Sequence, residues 1–221
     1  MTAKVRTRAS HTIEQKYGFE NPFKPDPLSR KAIKFLPRGK ELLDVGCGEG
    51  ADSVFFARMG FSVTAIDRNK EYVNRFRLYC KDEKISHISV HNRDVVSYRY
   101  PRNQYDVIIS LLVLCCMKRS DFEKIVKPLK QSVKRGGIII MSARNYLYPE
   151  MKDYLPSEMI EHNTFRSKES CCKFLYFIEK NRLREMFHDF DILYYYEGFA
   201  GCKYGEHPKH GDSYIICKRR K

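Results

Sequence analysis

Three glycines alternate along one short stretch of the chain, Gly46, Gly48 and Gly50, and an aspartate stands two residues before the first of them. An apolar, β-prone run precedes the glycines and a helical pattern follows them, which predicts a strand, a tight turn and a helix. Glycine has no Cβ, so it adopts positive φ and lets the main chain approach a bound molecule closely. The stretch 42–50 therefore predicts a loop that holds a ligand through its backbone.

Two further aspartates follow the second and third predicted strands. Asp67 directly follows the run 61–66, and Asp94 comes shortly after the run 88–91. In an open parallel sheet, ligands bind beyond the carboxyl ends of the strands, so we expect both carboxylates beside the glycine loop. The two oxygens of Asp67 suit the vicinal hydroxyls of a ribose, while Asp94 and the backbone N–H of Val95 suit the edge of an adenine.

Two classes of cofactor fit this pattern. Read as G-x-G-x-x-A over 46–51 with Asp67 downstream, the sequence fits the dinucleotide fingerprint, whose acid binds a ribose 2′-hydroxyl. Read as D-x-G-x-G-x-G over 44–50, it fits the S-adenosylmethionine loop of class I methyltransferases. Asp44, the third alternate glycine and the downstream motifs distinguish the two and favour the second.

The length of the chain, 221 residues, suits one well-buried α/β domain. It is too short for a cofactor domain plus a separate catalytic domain of ordinary size, which counts against a two-domain dehydrogenase. We expect residues 1–40 to form a tail and an aromatic, proline-rich cover segment with a short helix. Residues 41–221 then form the catalytic domain, with a lid insertion at 145–172.

Basic residues outnumber acidic ones by 41 to 27, a formal net charge of +14. Residues 4–8 hold three of the basic side chains and residues 218–221 hold four, with no acid in either run. The remaining excess is spread along the chain, as on an ordinary solvated surface. We therefore favour a small molecule as the partner and keep nucleic acid as an alternative.

Eight cysteines occur without the pattern of a secretory signal, which predicts reduced thiols and a cytoplasmic location. No apolar run approaches the length needed to cross a bilayer, so we expect no membrane partner.

In order and spacing, these motifs resemble those of the class I S-adenosylmethionine-dependent methyltransferases over residues 40–145. The resemblance implies an α/β, Rossmann-like doubly wound sheet of seven strands, mostly parallel with an antiparallel last strand. It also implies S-adenosylmethionine as the cofactor. The cofactor-binding residues that it implies are Asp44, Gly46, Cys47, Gly48, Gly50, Asp67, Arg68, Asp94, Val95, Ser110 and Leu111.

Within this class, the stretches 46–53, 60–67 and 177–183 resemble the tellurite-resistance-like branch. That branch is linked to small soft nucleophiles, including sulfur and metalloid compounds, so the resemblance implies methyl transfer to such a molecule. Alignment of the nucleophile suffices for this reaction, and no metal is expected. An RNA methyltransferase, which the net charge favours, and a non-catalytic S-adenosylmethionine-binding module are the alternatives.

The acceptor side of the site lies outside the matched motifs. The loop 198–212 holds His207 and His210, which we take as candidates for removing a proton from the nucleophile. Their spacing with Cys202 is not that of a standard zinc site. The residues expected to line the acceptor pocket are Tyr17, Tyr146, Tyr148 and Cys202.

The chain also contains two pairs of adjacent cysteines, at 115–116 and at 171–172. Neighbouring side chains point to opposite faces of a strand and about 100 degrees apart on a helix. We therefore expect neither pair to act as a chelate, and we expect both to be small buried hydrophobic residues.

Overall fold

The structure is a computed structural model, and it describes residues 16–17, 24–167, 172–200 and 210–221. The helices are α1 Pro27–Ala32, α2 Ala51–Ala57, α3 Lys70–Asp82, α4 Arg119–Ser132 and α5 Arg182–Met186. The strands are β1 Glu41–Val45, β2 Ser62–Asp67, β3 Ile88–Asn92, β4 Tyr105–Leu111, β5 Val133–Arg144, β6 Met159–Glu161, β7 Thr164–Arg166, β8 Phe174–Tyr176, β9 Phe190–Ala200 and β10 His210–Arg219. Short 3-10 turns occur at Ile33–Phe35, Pro149–Asp153 and Pro156–Glu158.

Seven of the strands form one sheet in the order β3-β2-β1-β4-β5-β10-β9. In the part of this order from β3 to β5, all neighbouring strands are parallel. Strand β10 runs antiparallel to both of its neighbours, β5 and β9. This topology confirms the predicted seven-stranded, mostly parallel sheet with an antiparallel last strand. The strand order reverses at β1 and β4, the position at which open α/β sheets bind their ligands.

The central strands are buried on both faces, which explains their continuous apolar runs. On β4, Val107 and Ile109 pack with the side chains of α2 and α3, while Ile108 packs against α4 on the other face. Helices therefore cover both faces of the parallel part of the sheet. The carboxyl edge of the sheet, where the loops after β1 and β2 emerge, is therefore the place where a ligand-binding site can form.

The segment predicted as a lid, residues 145–172, contains β6 and β7, which form a second, three-stranded antiparallel sheet with β8. Glu161 of β6 accepts hydrogen bonds from the backbone N–H and the hydroxyl of Ser120 in α4, both at 2.9 Å. The N–H of Tyr176 in β8 donates to the carbonyl of Cys115, at 2.8 Å. The small sheet is thus attached to the loop and helix that follow β4, and its role as a lid stays a prediction.

Tyr17 lies far from the carboxyl edge. Its hydroxyl donates to Asp82 at 2.8 Å, and its ring stands edge-on to Tyr79 at 5.5 Å. Asp82 ends α3, whose first turn is at the carboxyl edge, so the 13 residues of the helix separate Tyr17 from that edge by about 18 Å. The prediction that Tyr17 lines the acceptor pocket is wrong, because the ring packs on the far end of this helix instead.

Two glycines of the loop after β1 offer a matched test of its packing. Gly48 and Gly50 both have positive φ, +52° and +87°, which costs an alanine roughly 1–2 kcal/mol. A Cβ at Gly50 would stand 2.2 Å from the buried ring of Phe76, whereas nothing lies within 4 Å of a Cβ at Gly48. Gly50→Ala should therefore lose about 1–3 kcal/mol more unfolding free energy than Gly48→Ala, because it overpacks the core. Urea denaturation of the ligand-free variants measures this difference, and equal losses would contradict the packing described here.

Candidate cofactor and acceptor site

A cavity of about 370 Å³ opens at the carboxyl edge of the sheet, beside the loop after β1. This volume is within the range of about 300–1,000 Å³ that is usual for small-molecule sites. Five predicted cofactor residues line it, together with others from the first turn of α3 and the loop after β4. The lining residues are Gly46, Asp67, Arg68, Asn69, Tyr72, Asp94, Val95, Val96, Leu112, Val113, Cys116 and Met117.

Asp67 stands at the end of β2 and connects the loops around the cavity. One carboxylate oxygen accepts from the N–H of Gly48 at 2.9 Å, and the other accepts from the N–H of Asn69 at 2.7 Å. From β3, the side-chain amide of Asn92 donates to the carbonyls of Asp67 and Arg68, at 3.0 and 2.9 Å. A carboxylate has about four acceptor positions, so Asp67 retains two for the hydroxyls of a ribose.

Asp44 does not line the cavity but lies beneath the loop, with only 4% of its surface exposed. Its carboxyl accepts a hydrogen bond from the hydroxyl of Ser53 in α2, at 2.6 Å. Burial, with smaller contributions from the charges of Asp52 and Asp67, raises the pKa of Asp44 to about 8. In the ligand-free protein, Asp44 is therefore largely protonated at neutral pH.

The other predicted loop residues take different positions. Gly46 lines the cavity, and its φ of +75° lets the chain turn beside Val113, which a Cβ would meet at 2.2 Å. Cys47 is half-buried and lies outside the cavity lining, with its thiol 3.7 Å from the carbonyl of Gly48. Gly50 packs on Phe76 rather than facing the cavity. The loop thus presents backbone to the ligand and side chains to the core.

Asp94 and Val95, in the loop after β3, also line the cavity. Asp94 is exposed, and one of its carboxylate oxygens accepts from the N–H of Val96 at 2.8 Å, which closes a turn. Val95 is buried, and its carbonyl accepts from the hydroxyl of Tyr100 at 2.8 Å. These contacts hold the loop after β3 in place at the cavity.

At the end of β4, the residues that line the cavity are Leu112 and Val113, two positions after the predicted Ser110 and Leu111. Ser110 is fully buried, and its hydroxyl finds no hydrogen-bond partner within the described parts of the chain. Leu111 packs in the core beside α2 and α3, so neither residue lines the cavity. Leu112 adopts a positive φ of +56°, which turns the chain so that Leu112 and Val113 face the cavity instead. A non-glycine residue with positive φ carries no clear sequence signal, which is why this shift was missed.

Cys115 and Cys116 lie in the same turn. Both thiols approach the carbonyl oxygen of Leu112, at 3.4 and 3.5 Å, and Cys116 lines the cavity. The expectation that these neighbours point apart is wrong, because they lie in a turn rather than in a strand or a helix. A hydrogen bond from Cys116, assisted by the charge of Arg144, holds the pKa of the Cys115 thiol below its ordinary value despite its burial. The two sulfur atoms therefore lie close to one carbonyl, with Cys116 at the wall of the cavity and Cys115 buried behind it.

Of the predicted acceptor residues, His207 and Cys202 lie outside the described residues. His210 begins β10, and its ring centroid is 5.0 Å from that of Tyr148. The guanidinium of Arg144 lies over the same tyrosine ring, 4.6 Å from its centroid. These three side chains form a cluster at the carboxyl edge, but none of them lines the 370 Å³ cavity.

Tyr146 is half-buried and lies outside the cavity lining as well. Its N–H donates to the carbonyl of Ile178 at 3.1 Å, which joins the start of the insertion to the segment after β8. The roles predicted for Tyr146, Tyr148 and His210 stay predictions.

The lining residues that sequence reasoning missed are Asn69, Tyr72, Val96, Leu112, Val113, Cys116 and Met117. Tyr72 has the spacing of a core residue in α3, but it is only half-buried and its position in the first turn places it at the cavity. Its place in the first turn of the helix that follows the predicted ribose acid, Asp67, was the sequence signal that could have identified it.

Within residues 16–17, 24–167, 172–200 and 210–221, no group of three or more His, Cys, Asp or Glu side chains is arranged to hold a metal. In the same residues, no helix combines the length and apolar character needed to span a membrane. No disulfide joins the cysteines that the structure describes.

The strand order, the glycine loop and the cavity at the carboxyl edge together define the fold of the class I S-adenosylmethionine-dependent methyltransferases. The chain belongs to the family described as tellurite resistance protein TehB, whose model matches residues 15–169. This match confirms the resemblance to the tellurite-resistance-like branch.

Comparisons with individual proteins agree with this assignment. The chain is 26% identical over 161 residues to a probable S-adenosyl-L-methionine-dependent methyltransferase TehB of Haemophilus influenzae, a match that covers 72% of this chain and 49% of that protein. The crystal structure of TehB from Haemophilus influenzae matches with a TM-score of 0.73 at 20% identity, over 94% of this chain and 66% of that one. The chain therefore spans about half the length of the curated TehB relatives that it matches.

A second solved structure carries a cofactor product. It is a 1,6-didemethyltoxoflavin-N1-methyltransferase of Burkholderia thailandensis with bound S-adenosylhomocysteine, and it matches with a TM-score of 0.67 at 13% identity, over 96% of this chain and 84% of that one. At 13% identity, this match shows a shared fold and nothing further.

The raised pKa of Asp44 predicts a pH-dependent effect of Asp44→Asn. A raised pKa means that the folded state holds the proton more tightly than the unfolded state, so wild-type stability falls as pH rises from about 4 towards 8. Asparagine mimics the protonated carboxyl, so the stability of the variant relative to wild type should grow from pH 5 to pH 8, by at most about 1.4 kcal/mol per pH unit. Urea midpoints of the ligand-free proteins across this range test the prediction. A pH-independent difference for Asp44→Asn would contradict the assignment.

Proposed function

We propose that this protein is an S-adenosylmethionine-dependent methyltransferase that transfers a methyl group to a small soft nucleophile, such as a thiol or a metalloid compound. The observation that carries the proposal is the cavity at the carboxyl edge, in which Asp67 is tied to the glycine loop by a 2.9 Å hydrogen bond to Gly48. Membership of the TehB family supports the same activity. The cytoplasm, where thiols stay reduced, suits both the acceptor and the cysteines.

The residues around the cavity fit S-adenosylmethionine. Asp67 would accept hydrogen bonds from the ribose hydroxyls, and Asp94 with the N–H of Val95 would meet the adenine. The loop 46–50 would hold the methionine part through its backbone, since the position of a Cβ at Gly48 faces open space. When bound, this cofactor supplies an activated methyl group on a positively charged sulfur.

The protein's own contribution to the reaction is alignment and exclusion of water. Leu112, Val113 and Met117 form an apolar wall, next to which a nucleophile would be held in line with the methyl group. Such positioning lowers a barrier by as much as about 7–11 kcal/mol. The polarizable sulfur of Cys116 in the same wall suits a soft acceptor.

Proton removal from the acceptor is assigned to the carboxyl-edge cluster beside this wall. His210 is the candidate base within the described residues, and His207 remains a second candidate from the same loop. Tyr148, between His210 and Arg144, would position the histidine ring.

RNA is the less favoured acceptor because of where the basic C-terminal run lies. Arg219 donates to the carbonyl of Val133, the first residue of β5, at 2.6 Å, so the run 218–221 is at the amino edge of the sheet. The cofactor cavity is at the carboxyl edge. The N-terminal run 4–8 lies outside the described residues.

Calorimetric titration with S-adenosylmethionine, S-adenosylhomocysteine and NAD tests the cofactor. We expect micromolar affinity for the first two and no binding of NAD. Asp67→Ala should weaken S-adenosylmethionine binding at least tenfold, about 1.4 kcal/mol, because it removes the ribose acceptor and releases the loop. Glu83→Ala, at the far end of α3, should bind as wild type. Unchanged affinity in Asp67→Ala would remove the assignment of the ribose acid.

Turnover assays with a small thiol, a metalloid oxyanion and a short RNA test the acceptor. We expect S-adenosylhomocysteine to form with a soft small molecule, and Cys116→Ser to lower kcat/KM for that acceptor by about tenfold while cofactor affinity stays unchanged. Cys80→Ser, the same exchange in α3 away from the cavity, is the control. Cofactor binding without turnover on any acceptor would instead favour the non-catalytic module.

A further inference from the structure

A second groove, of about 600 Å³, lies at the amino edge of the parallel strands, between α4, α5 and the end of β10. Because β10 runs antiparallel to β5, its last residues reach the edge opposite the cofactor cavity. Two acidic residues, Glu123 and Asp189, line the groove. Its basic lining residues are Lys127, Lys130, Arg135, Arg182, Arg219, Arg220 and Lys221.

Carboxylates neutralise three of these seven cations. Lys130 forms an ion pair with Asp189, Arg182 pairs with Glu123 at 2.8 Å, and Arg220 pairs with Asp191 at 3.0 Å. The acids at the groove are therefore already engaged with these partners.

The other four cations form no ion pair with a carboxylate side chain of the described residues. Arg219 donates only to neutral acceptors, the side-chain carbonyl of Asn103 at 2.7 Å and the backbone carbonyls of Gln131 and Val133 at 3.3 and 2.6 Å. Lys127, Arg135 and Lys221 are exposed and form no ion pair with any residue in the described ranges. With Arg219, Lys127 and Arg135 alone, three uncompensated positive charges thus converge on one open groove, which is the footprint expected of a polyanion-binding surface.

The surroundings of the groove decide between polyanions. Binding to a membrane surface is strengthened by apolar side chains that insert beside the basic residues, and none of the large exposed apolar side chains in the described ranges lines this groove. Phe190 in its wall is only 4% exposed and lies beneath Lys130, so no free ring is offered for stacking on a base. Long cationic side chains without an aromatic platform suit contacts to phosphates rather than to bases.

We infer that this amino-edge groove binds nucleic acid through its phosphates, with little preference for sequence. The bound strand lies at the edge opposite the cofactor cavity, so it holds the enzyme in place and is not the molecule that is methylated. This goes beyond the proposed function, because the groove and the cavity share no lining residue.

Fluorescence anisotropy with a short labelled RNA of mixed sequence, measured without cofactor, tests the inference. Affinity should fall as salt rises, with a log–log slope of about −2 for three phosphate contacts to a single strand. Combining Lys127→Glu with Arg135→Glu should weaken binding at least tenfold and make the slope shallower. Lys81→Glu with Lys84→Glu, exposed residues at the end of α3, makes the same change in net charge and should leave affinity within twofold of wild type.

Equal losses in the two charge-reversed pairs would overturn the inference, since binding would then follow overall charge. Binding to phosphatidylserine vesicles but not to RNA would overturn it as well. Should the reversed groove pair fail to fold, Lys127→Gln with Arg135→Gln removes the charges more gently and must still weaken RNA binding relative to its matched Lys81→Gln and Lys84→Gln control. Methyl transfer to the RNA that is lost in the groove variant would show a substrate instead of a tether. Because cofactor titration is independent of this assay, failure of the proposed methyltransferase function would be seen separately.

Discussion

The hydrogen bond between the N–H of Gly48 and the carboxylate of Asp67 is the contact on which the candidate site depends. It joins the loops after two neighbouring parallel strands and is supplemented by the carbonyl of Ile66, which accepts from the N–H groups of Gly46 and Cys47 at 2.8 and 3.0 Å. The loop is therefore held in a ligand-binding shape before any ligand arrives. Such preorganisation reduces the ordering cost of binding.

This arrangement also explains why glycines alternate in the loop. Their positive φ values bend the chain tightly enough for its N–H groups to reach Ile66 and Asp67, and Gly50 lets the loop settle on the ring of Phe76. The buried, protonated Asp44 lies beneath the loop and is joined to α2 by its hydrogen bond with Ser53. It therefore supports the loop and does not contact the ligand cavity.

Charge is distributed unevenly between the two edges of the sheet. Asp67 and Asp94 line the cavity at the carboxyl edge, where their carboxylates favour a cationic cofactor, whereas the uncompensated cations gather at the amino edge. The net charge of +14 therefore says little about the reacting centre. The antiparallel course of β10 is what places the basic end of the chain away from the cavity, so one topological feature separates the two surfaces.

The sequence by itself determined the sheet, the glycine loop and the positions of Asp67 and Asp94, because strand periodicity, glycine φ and the place of a residue at a strand end are local properties. The remaining parts of the site depend on contacts between distant segments, and these only the tertiary structure decided. Tyr17 packs on the far end of α3, Leu112 turns the chain so that its side chain rather than Ser110 faces the cavity, and a turn brings two neighbouring thiols together. Each outcome depends on which apolar surface or backbone carbonyl comes close to the residue after folding. A local pattern of residue types does not encode such contacts between segments that are distant in the sequence.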